Sequence, residues 1–121
     1  MRRILVTDDS ATMRSLLVST IESCGDYEVI EAASGFEALR LLPRERIDLI
    51  ITDINMPDIN GLELIRYVRN NTNYMQTPLF IISTEGREKD VEKGLSLGAN
   101  EYLVKPIIPQ KLQELIVKYI G

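Results

Sequence analysis

Histidine is absent from the sequence, and cysteine occurs once among its 121 residues. Without histidine, these residues cannot form Ser-His-Asp triads, Cys-His pairs or zinc sites with histidine ligands. The single cysteine, Cys24, excludes an intramolecular disulfide framework. These absences remove several common classes of hydrolase and metalloprotein.

Long hydrophobic runs and blocks of like charge are also missing. No apolar run approaches the ~20 residues of a membrane span. The run Ile4-Leu5-Val6 is too short for the core of a signal peptide. The net charge is −4 and no basic block stands out, which argues against nucleic acid as a direct partner. We therefore expect a cytoplasmic protein that contacts neither membrane nor nucleic acid.

The rest of the composition is that of an ordinary globular domain. Hydrophobic residues make up 45% of the chain and charged residues 26%. A chain of 121 residues fits one domain and can bury a core without disulfides or metals. We predict that residues 1–121 form a single domain.

Short apolar runs alternate with helical patterns along the whole chain. The predicted strands cover residues 4–6, 27–32, 49–52, 79–82 and 101–104, and a helix is predicted after each. This alternation predicts a parallel sheet with helices on both faces. Right-handed crossovers leave few arrangements, and we predict a doubly wound α/β fold with strand order 2-1-3-4-5 and five helices.

Capping residues mark where two of these helices begin. Ser10 is a favourable N-cap, because its hydroxyl can accept from free N–H groups in the first turn. Ser34 followed by Glu37 is a capping-box pattern. The helix that begins there is expected to direct Phe36, either Leu39 or Ala38, and Leu42 inward, and to stop at Pro43.

Polar residues stand at the carboxyl ends of four predicted strands. Asp8-Asp9 ends the first strand, Asp53 the third, Ser83-Thr84 the fourth and Lys105 the fifth. In the order 2-1-3-4-5 these strands are consecutive neighbours, ~4.8 Å apart. Each group alone is as readily explained as a helix cap or a loop residue. Their coincidence at one edge predicts a shared site at the point where the strand order reverses.

Three carboxylates in one place repel each other and resist ionising together. A hard divalent cation removes that conflict, and Mg²⁺ prefers oxygen ligands while keeping several waters. The formal charges would be −3 from the acids, +2 from the metal and +1 from Lys105. This nearly neutral site could accept a phosphoryl group.

Four motifs together resemble one known family. They are Leu5–Ser10, Asp53–Pro57 with Gly61, Ile82–Thr84 and Tyr102–Pro106. In these motifs the chain resembles the receiver domains of two-component response regulators, especially the stand-alone chemotaxis type. The resemblance covers the whole chain, and the four motifs are specific in combination although none is specific alone. It implies a flavodoxin-like receiver fold.

The resemblance implies roles for the metal and phosphoryl ligands. Asp53 would be the phosphoacceptor. Asp9, Asp53 and the main-chain carbonyl of Asn55 would hold Mg²⁺, with Asp8 helping directly or through water. Lys105 would pair with the phosphoryl oxygens.

Further implied roles concern the response to phosphorylation. Ser83 would hydrogen-bond the phosphoryl group, and Tyr102 would be the switch aromatic that turns inward when Ser83 moves. The Lys105-Pro106 peptide bond is expected to be cis. Four residues depart from the family pattern. Thr7 stands where an apolar residue is usual, Ser83 replaces the commoner threonine, Thr84 stands where a smaller residue is frequent, and Ile107 replaces a frequent phenylalanine.

The implied function is a phosphorylated signalling module and not an enzyme with a separate substrate. The donor would be a phosphohistidine on a sensor histidine kinase. Output would pass to a downstream target protein, or to a second copy, through the face of helix four, strand five and helix five. Self-catalysed phosphoryl transfer and autodephosphorylation would be its only chemistry.

Two alternatives share part of this pattern. A haloacid-dehalogenase-type phosphatase also uses a strand-end aspartate and Mg²⁺, but it needs a second acid where this chain has Asn55. A receiver used only as an unphosphorylated scaffold is the other alternative. The intact acids, Lys105 and Ser83 argue against that scaffold.

Overall fold

Five strands and five helices alternate in chain order in the computed structural model, which describes residues 1–121. They are β1 (Arg2–Thr7), α1 (Ala11–Glu22), β2 (Tyr27–Ala32), α2 (Gly35–Leu41), β3 (Leu49–Asp53), α3 (Gly61–Arg69), β4 (Leu79–Ser83), α4 (Glu88–Ser96), β5 (Glu101–Val104) and α5 (Pro109–Ile120). All strand pairs are parallel, and the sheet order is β2-β1-β3-β4-β5. The predicted fold class and strand order are confirmed.

The sheet is covered on both faces, which explains why its central strands are apolar throughout. Every residue of β3 and β4 is buried. Alternate strand residues enter two separate cores, so that Ile51 packs towards α1 and α5 while Ile50 packs towards α2 and α3. No helix combines the length and the hydropathy that crossing a bilayer requires.

Side-chain caps fix the start of three helices. Ser10 Oγ accepts from Met13 N at 3.2 Å, as predicted. Ser34 Oγ accepts from Glu37 N at 3.1 Å, but the Glu37 carboxylate accepts from the residue before the cap, so the predicted capping box is incomplete. A complete capping box joins Asn60 and Glu63 at α3 instead. α1 and α3 therefore begin at fixed points directly after the loops that follow β1 and β3.

Phe36 contradicts the expectation that it is buried, because 59% of it is exposed. The buried face of α2 is formed by Gly35 and Ala38, and Leu42 after its end is buried as predicted. A Cβ atom on Gly35 would lie 2.5 Å from the carbonyl oxygen of Ile59. The first turn of α2 therefore approaches the neighbouring loop closely at Gly35, while the next residue, Phe36, lies exposed to solvent.

Thr7 lies fully buried at the end of β1, and its hydroxyl has no hydrogen-bond partner in the protein. It pairs in register with Thr52 of β3, so it lies directly beneath the edge where the strands end. A buried hydroxyl without a partner destabilises a fold by roughly 1–3 kcal/mol.

Thr7→Val is expected to raise the free energy of unfolding by about 1 kcal/mol, because valine keeps the shape and removes the unpaired hydroxyl. Chemical denaturation is the measurement. Thr20→Val is the matched control, since the buried Thr20 hydroxyl donates to the Leu16 carbonyl at 2.8 Å and its loss should lower stability. A less stable Thr7→Val protein would show that the Thr7 hydroxyl has a bonding partner.

Candidate functional site

Three aspartates meet at the carboxyl edge of the sheet. Asp53 is the last residue of β3, and Asp8 and Asp9 follow β1. Asp8 is 1% exposed and Asp53 8%, whereas Asp9 is open to solvent. One carboxylate oxygen from each lies within 4.8 Å of the others. The parallel strands thus bring together the acids that the sequence placed at neighbouring strand ends.

Lys105 supplies the positive charge of the site. Its Nζ lies 3.4 Å from Asp8 Oδ2 and 3.5 Å from Asp53 Oδ2. Its backbone N–H donates to the Ser83 carbonyl at 2.8 Å, which fixes the end of β5 beside β4. The Lys105-Pro106 peptide bond is cis, as expected. One ammonium therefore contacts both buried carboxylates.

Each buried carboxylate uses its two oxygens differently. Asp53 Oδ1 accepts from Ile54 N at 2.8 Å, and Asp8 Oδ1 accepts from Ser10 N at 2.9 Å. The Oδ2 atoms of both residues face Lys105. The backbone holds one oxygen of each aspartate, so the orientation of the other is set before any ligand arrives.

Burial raises the pKa of Asp53 above its ordinary value of 3.8, and the nearby charge of Asp8 raises it further. Lys105 and the Ile54 N–H oppose the rise in pKa without cancelling it. Ionisation of the Asp53 carboxylate is therefore less favourable in the folded protein than in water when no metal is bound. A cation or a proton at this position would relieve the conflict.

The donor set suits a hard divalent cation. Three carboxylates converge, all potential ligand atoms are oxygen, and one side is open through the exposed Asp9. Asn55 follows Asp53 by two residues, so its main-chain carbonyl belongs to the same loop. Oxygen ligands in partial number, with room for water, are what Mg²⁺ favours.

Ser83 and Tyr102 meet at the β4–α4 loop. Ser83, the buried end of β4, accepts at Oγ from Glu85 N at 3.0 Å. The Tyr102 hydroxyl donates to the Glu85 carbonyl, and burial raises its pKa. The Tyr102 ring is half-buried and would lie 3.0 Å from a Cβ atom on Gly94 of α4. The ring thus already lies inward, with both side chains anchored to Glu85.

Sequence reasoning missed three residues around the site. Arg14 of α1 donates to the Asp8 carbonyl at 2.7 Å, and the Glu85 carboxylate accepts from the Asn55 amide at 3.4 Å. Asp58 bonds to the first turn of α2. In each case the sequence places the charged residue close to the start of a predicted helix, but it does not show which residue it contacts. The partners lie between 6 and 30 positions away in sequence, and no local pattern identifies them.

The sequence matches the response regulator receiver domain over residues 4–117. The chain belongs to the response regulator receiver family. It is therefore a phosphoacceptor signalling domain, and the phosphatase alternative gains no support.

Similar chains include chemotaxis proteins of nearly the same length. A CheY homolog from Campylobacter jejuni is 42% identical over 120 residues, which cover 98% of this chain and 92% of the relative. CheY1 from Helicobacter pylori is 39% identical, with 98% and 97% covered. This receiver domain is thus of the CheY type.

Solved structures agree with the fold. CheY4 of Vibrio cholerae superposes with a TM-score of 0.90 at 36% identity, covering 99% of both chains. The receiver domain of sensor histidine kinase PA1611 from Pseudomonas aeruginosa superposes with a TM-score of 0.89 at 29% identity, covering 99% of this chain and 98% of its own. That structure has a magnesium ion coordinated in its active site cleft.

Asp53→Asn is expected to raise the thermal midpoint of the metal-free receiver domain at neutral pH. Since the folded-state pKa of Asp53 is raised, the stability that its carboxyl group contributes is fully present below the unfolded-state pKa and is lost as the pH rises through the folded-state pKa. The advantage of the variant should therefore shrink as the pH falls towards 3.8. Thermal unfolding with a chelator present, over a pH series, measures this.

Asp26→Asn controls for the loss of one negative charge, because Asp26 is exposed and precedes β2 at the opposite edge of the sheet. A midpoint for Asp53→Asn below that of the native protein at neutral pH would contradict the unfavourable ionisation of Asp53.

Proposed function

We propose that Asp53 is the phosphoacceptor and that residues 1–121 act as one receiver domain. The observation that carries the proposal is the orientation of the Asp53 carboxylate. One of its oxygens is held by Ile54 N–H at 2.8 Å, and the other faces Lys105 at 3.5 Å. An oriented oxygen beside a cation is what in-line attack on a phosphoryl group requires.

Asp9, Asp53 and the Asn55 carbonyl would hold Mg²⁺, with Asp8 acting directly or through water. The oxygen-rich cluster within 4.8 Å supports this set. When bound, the metal neutralises charge that develops on the oxygens of the transferred group. Asp8 keeps its orientation through Ser10 N–H, so it can contact either the ion or one of its waters.

Lys105 would change partner when the phosphoryl group arrives. Without it, the ammonium is shared between Asp8 and Asp53. Phosphorylation would convert the Asp53 carboxylate into an acyl phosphate, so that the negative charge moves onto phosphoryl oxygens placed beside Nζ. Charge-assisted hydrogen bonds to those oxygens would stabilise the product.

The phosphoryl donor would be a phosphohistidine of a sensor histidine kinase. This sequence contains no histidine, so it cannot itself supply that donor. Transfer and later hydrolysis would be catalysed within this site, with no separate substrate. The cytoplasmic location follows from such a partnership and remains a prediction.

With acetyl phosphate and Mg²⁺, the native protein should gain one phosphoryl group at Asp53, and Asp53→Asn should gain none. The reason is that Asp53 has one oxygen held by Ile54 N–H and the other beside Lys105, and that it is more accessible than Asp8, which has the same kind of contacts but is 1% exposed. Intact-mass measurement is the readout, and Asp26→Asn should label as the native protein does. Undiminished labelling of Asp53→Asn would refute the assignment.

Ser83 and Tyr102 would carry the signal from the site to the surface. Ser83 is the nearest hydroxyl on the neighbouring strand, so a phosphoryl group would draw it away from Glu85 N. The inward Tyr102 fills the space beside β4 and bonds to the same loop. Phosphorylation would thus favour one of two packed arrangements of Ser83, Tyr102 and the β4–α4 loop.

The face formed by α4, β5 and α5 would bind the downstream target or a second copy. It exposes apolar groups at Leu95, Val104 and Ile108, which are 43%, 44% and 68% exposed. Lys93 and Lys111 are exposed beside them. An apolar centre with a charged rim is the usual composition of a protein-binding surface.

Beryllofluoride, a phosphoryl mimic, should shift amide resonances from Ser83 to Gly98 and from Glu101 to Lys118 in the native protein. In Ser83→Ala the shifts should stay near Asp53, because the hydroxyl that links the site to the β4–α4 loop is gone. Two-dimensional amide NMR makes the comparison. An equal spread in both proteins would exclude Ser83 as the relay.

A further inference from the structure

The loop between β3 and α3, residues 54–60, holds the Asn55 carbonyl that is proposed as a metal ligand. One side of this loop is tied to α3. Gly61 N donates to the Ile54 carbonyl at 2.8 Å, and the capping box of Asn60 and Glu63 closes the end of the loop. Asn55 itself is exposed. The position of Asn55 therefore also depends on contacts at the other side of the loop.

Asp58 provides those contacts. Its carboxylate accepts from Phe36 N at 2.9 Å and from Gly35 N at 3.2 Å, both in the first turn of α2. It also accepts from Ile59 N at 2.7 Å within its own loop. A carboxylate at the start of a helix is favoured by the free N–H groups and by the helix dipole. This one comes from another segment, more than 20 positions away.

Two further observations show that the contact is tight. Hydrogen bonds from backbone N–H groups lower the pKa of Asp58 to about 2, and the bond from Phe36 N–H has the largest effect. The carboxylate therefore stays charged at ordinary pH. A Cβ atom on Gly35 would lie 2.5 Å from the Ile59 carbonyl oxygen and 2.8 Å from Ile59 Cβ. The loop and the first turn of α2 therefore meet backbone to backbone.

We propose that Asp58 is a positioning residue for the metal site: it docks the 54–60 loop on α2 and so holds the Asn55 carbonyl in place. The inference rests on the proposed Mg²⁺ site. Asp58 is not part of the carboxylate cluster of Asp8, Asp9 and Asp53, so it acts through the loop and not as a ligand. Residues that orient metal ligands typically change metal affinity about 10–100-fold when they are removed.

The test compares Mg²⁺ affinity in Asp58→Ala and Ser34→Ala by calorimetric titration of the full chain. Both variants remove a cap from the start of α2, since Ser34 Oγ accepts from Glu37 N at 3.1 Å, but only Asp58 reaches from the loop. Asp58→Ala should bind Mg²⁺ about tenfold more weakly. Ser34→Ala should bind it as the native protein does. Phosphorylation of Asp58→Ala at saturating Mg²⁺ should approach the native rate.

A measurement at high salt distinguishes the loss of loop positioning from the loss of the Asp58 negative charge. Loss of an exposed negative charge also weakens cation binding, but that effect is screened at high ionic strength. The weakening in Asp58→Ala should persist in concentrated KCl. The contact of the Asp58 carboxylate with Gly35 N and Phe36 N is called the Asp58 clamp. Amide hydrogen exchange at Gly35 and Phe36 reports whether a variant has lost this clamp. Asp58→Asn keeps one acceptor oxygen and should show a smaller loss, which provides a second variant if the alanine variant folds poorly.

Three outcomes would overturn the proposal, and they are distinguishable. Native affinity in Asp58→Ala with the amides released would show that the clamp does not position the ligand. Equal weakening in Ser34→Ala would show that stability of α2 alone matters. Absence of Mg²⁺ binding by the native chain would refute the metal site itself, and with it any role of Asp58 there.

Discussion

Two buried carboxylates that share one ammonium are the constraint on which the rest of this structure depends. Asp8 and Asp53 lie at the ends of adjacent parallel strands, and Lys105 Nζ contacts both. Burial of Asp53 and its repulsion by Asp8 raise the pKa of Asp53, and the attraction of Lys105 offsets this only in part. The two buried carboxylates are therefore in electrostatic conflict when no metal is bound. A divalent cation bound there would relieve that conflict.

Backbone hydrogen bonds orient both buried carboxylates. Ser10 N–H and Ile54 N–H each hold one carboxylate oxygen, and both belong to loops with fixed ends. The caps at Ser10 and Asn60 begin the next helix within a few residues of each loop. Preorganisation of this kind is set by short-range hydrogen bonds, while the sheet sets the distances between strands. The proposed Asp58 clamp extends the same arrangement to α2.

Two side chains near the same edge bond to one residue of the β4–α4 loop. Ser83 and Tyr102 both bond to Glu85, one through its N–H and the other through its carbonyl. A change in the position of Ser83 therefore affects the loop that anchors the Tyr102 ring. Because packed interiors favour discrete arrangements, a small shift at Ser83 would change which arrangement of α4 and β5 is populated.

The sequence by itself determined the elements, their parallel order and the residues at the strand ends, because these follow from local periodicity and from the geometry of crossovers. It also allowed Asp8, Asp9, Asp53, Ser83 and Lys105 to be named as neighbours. The exposure of Phe36, the unpaired Thr7 hydroxyl, the Asp58 clamp and the bond from Tyr102 to Glu85 were decided only by the tertiary structure. Each depends on the distance between elements far apart in sequence, which packing sets and local pattern does not encode.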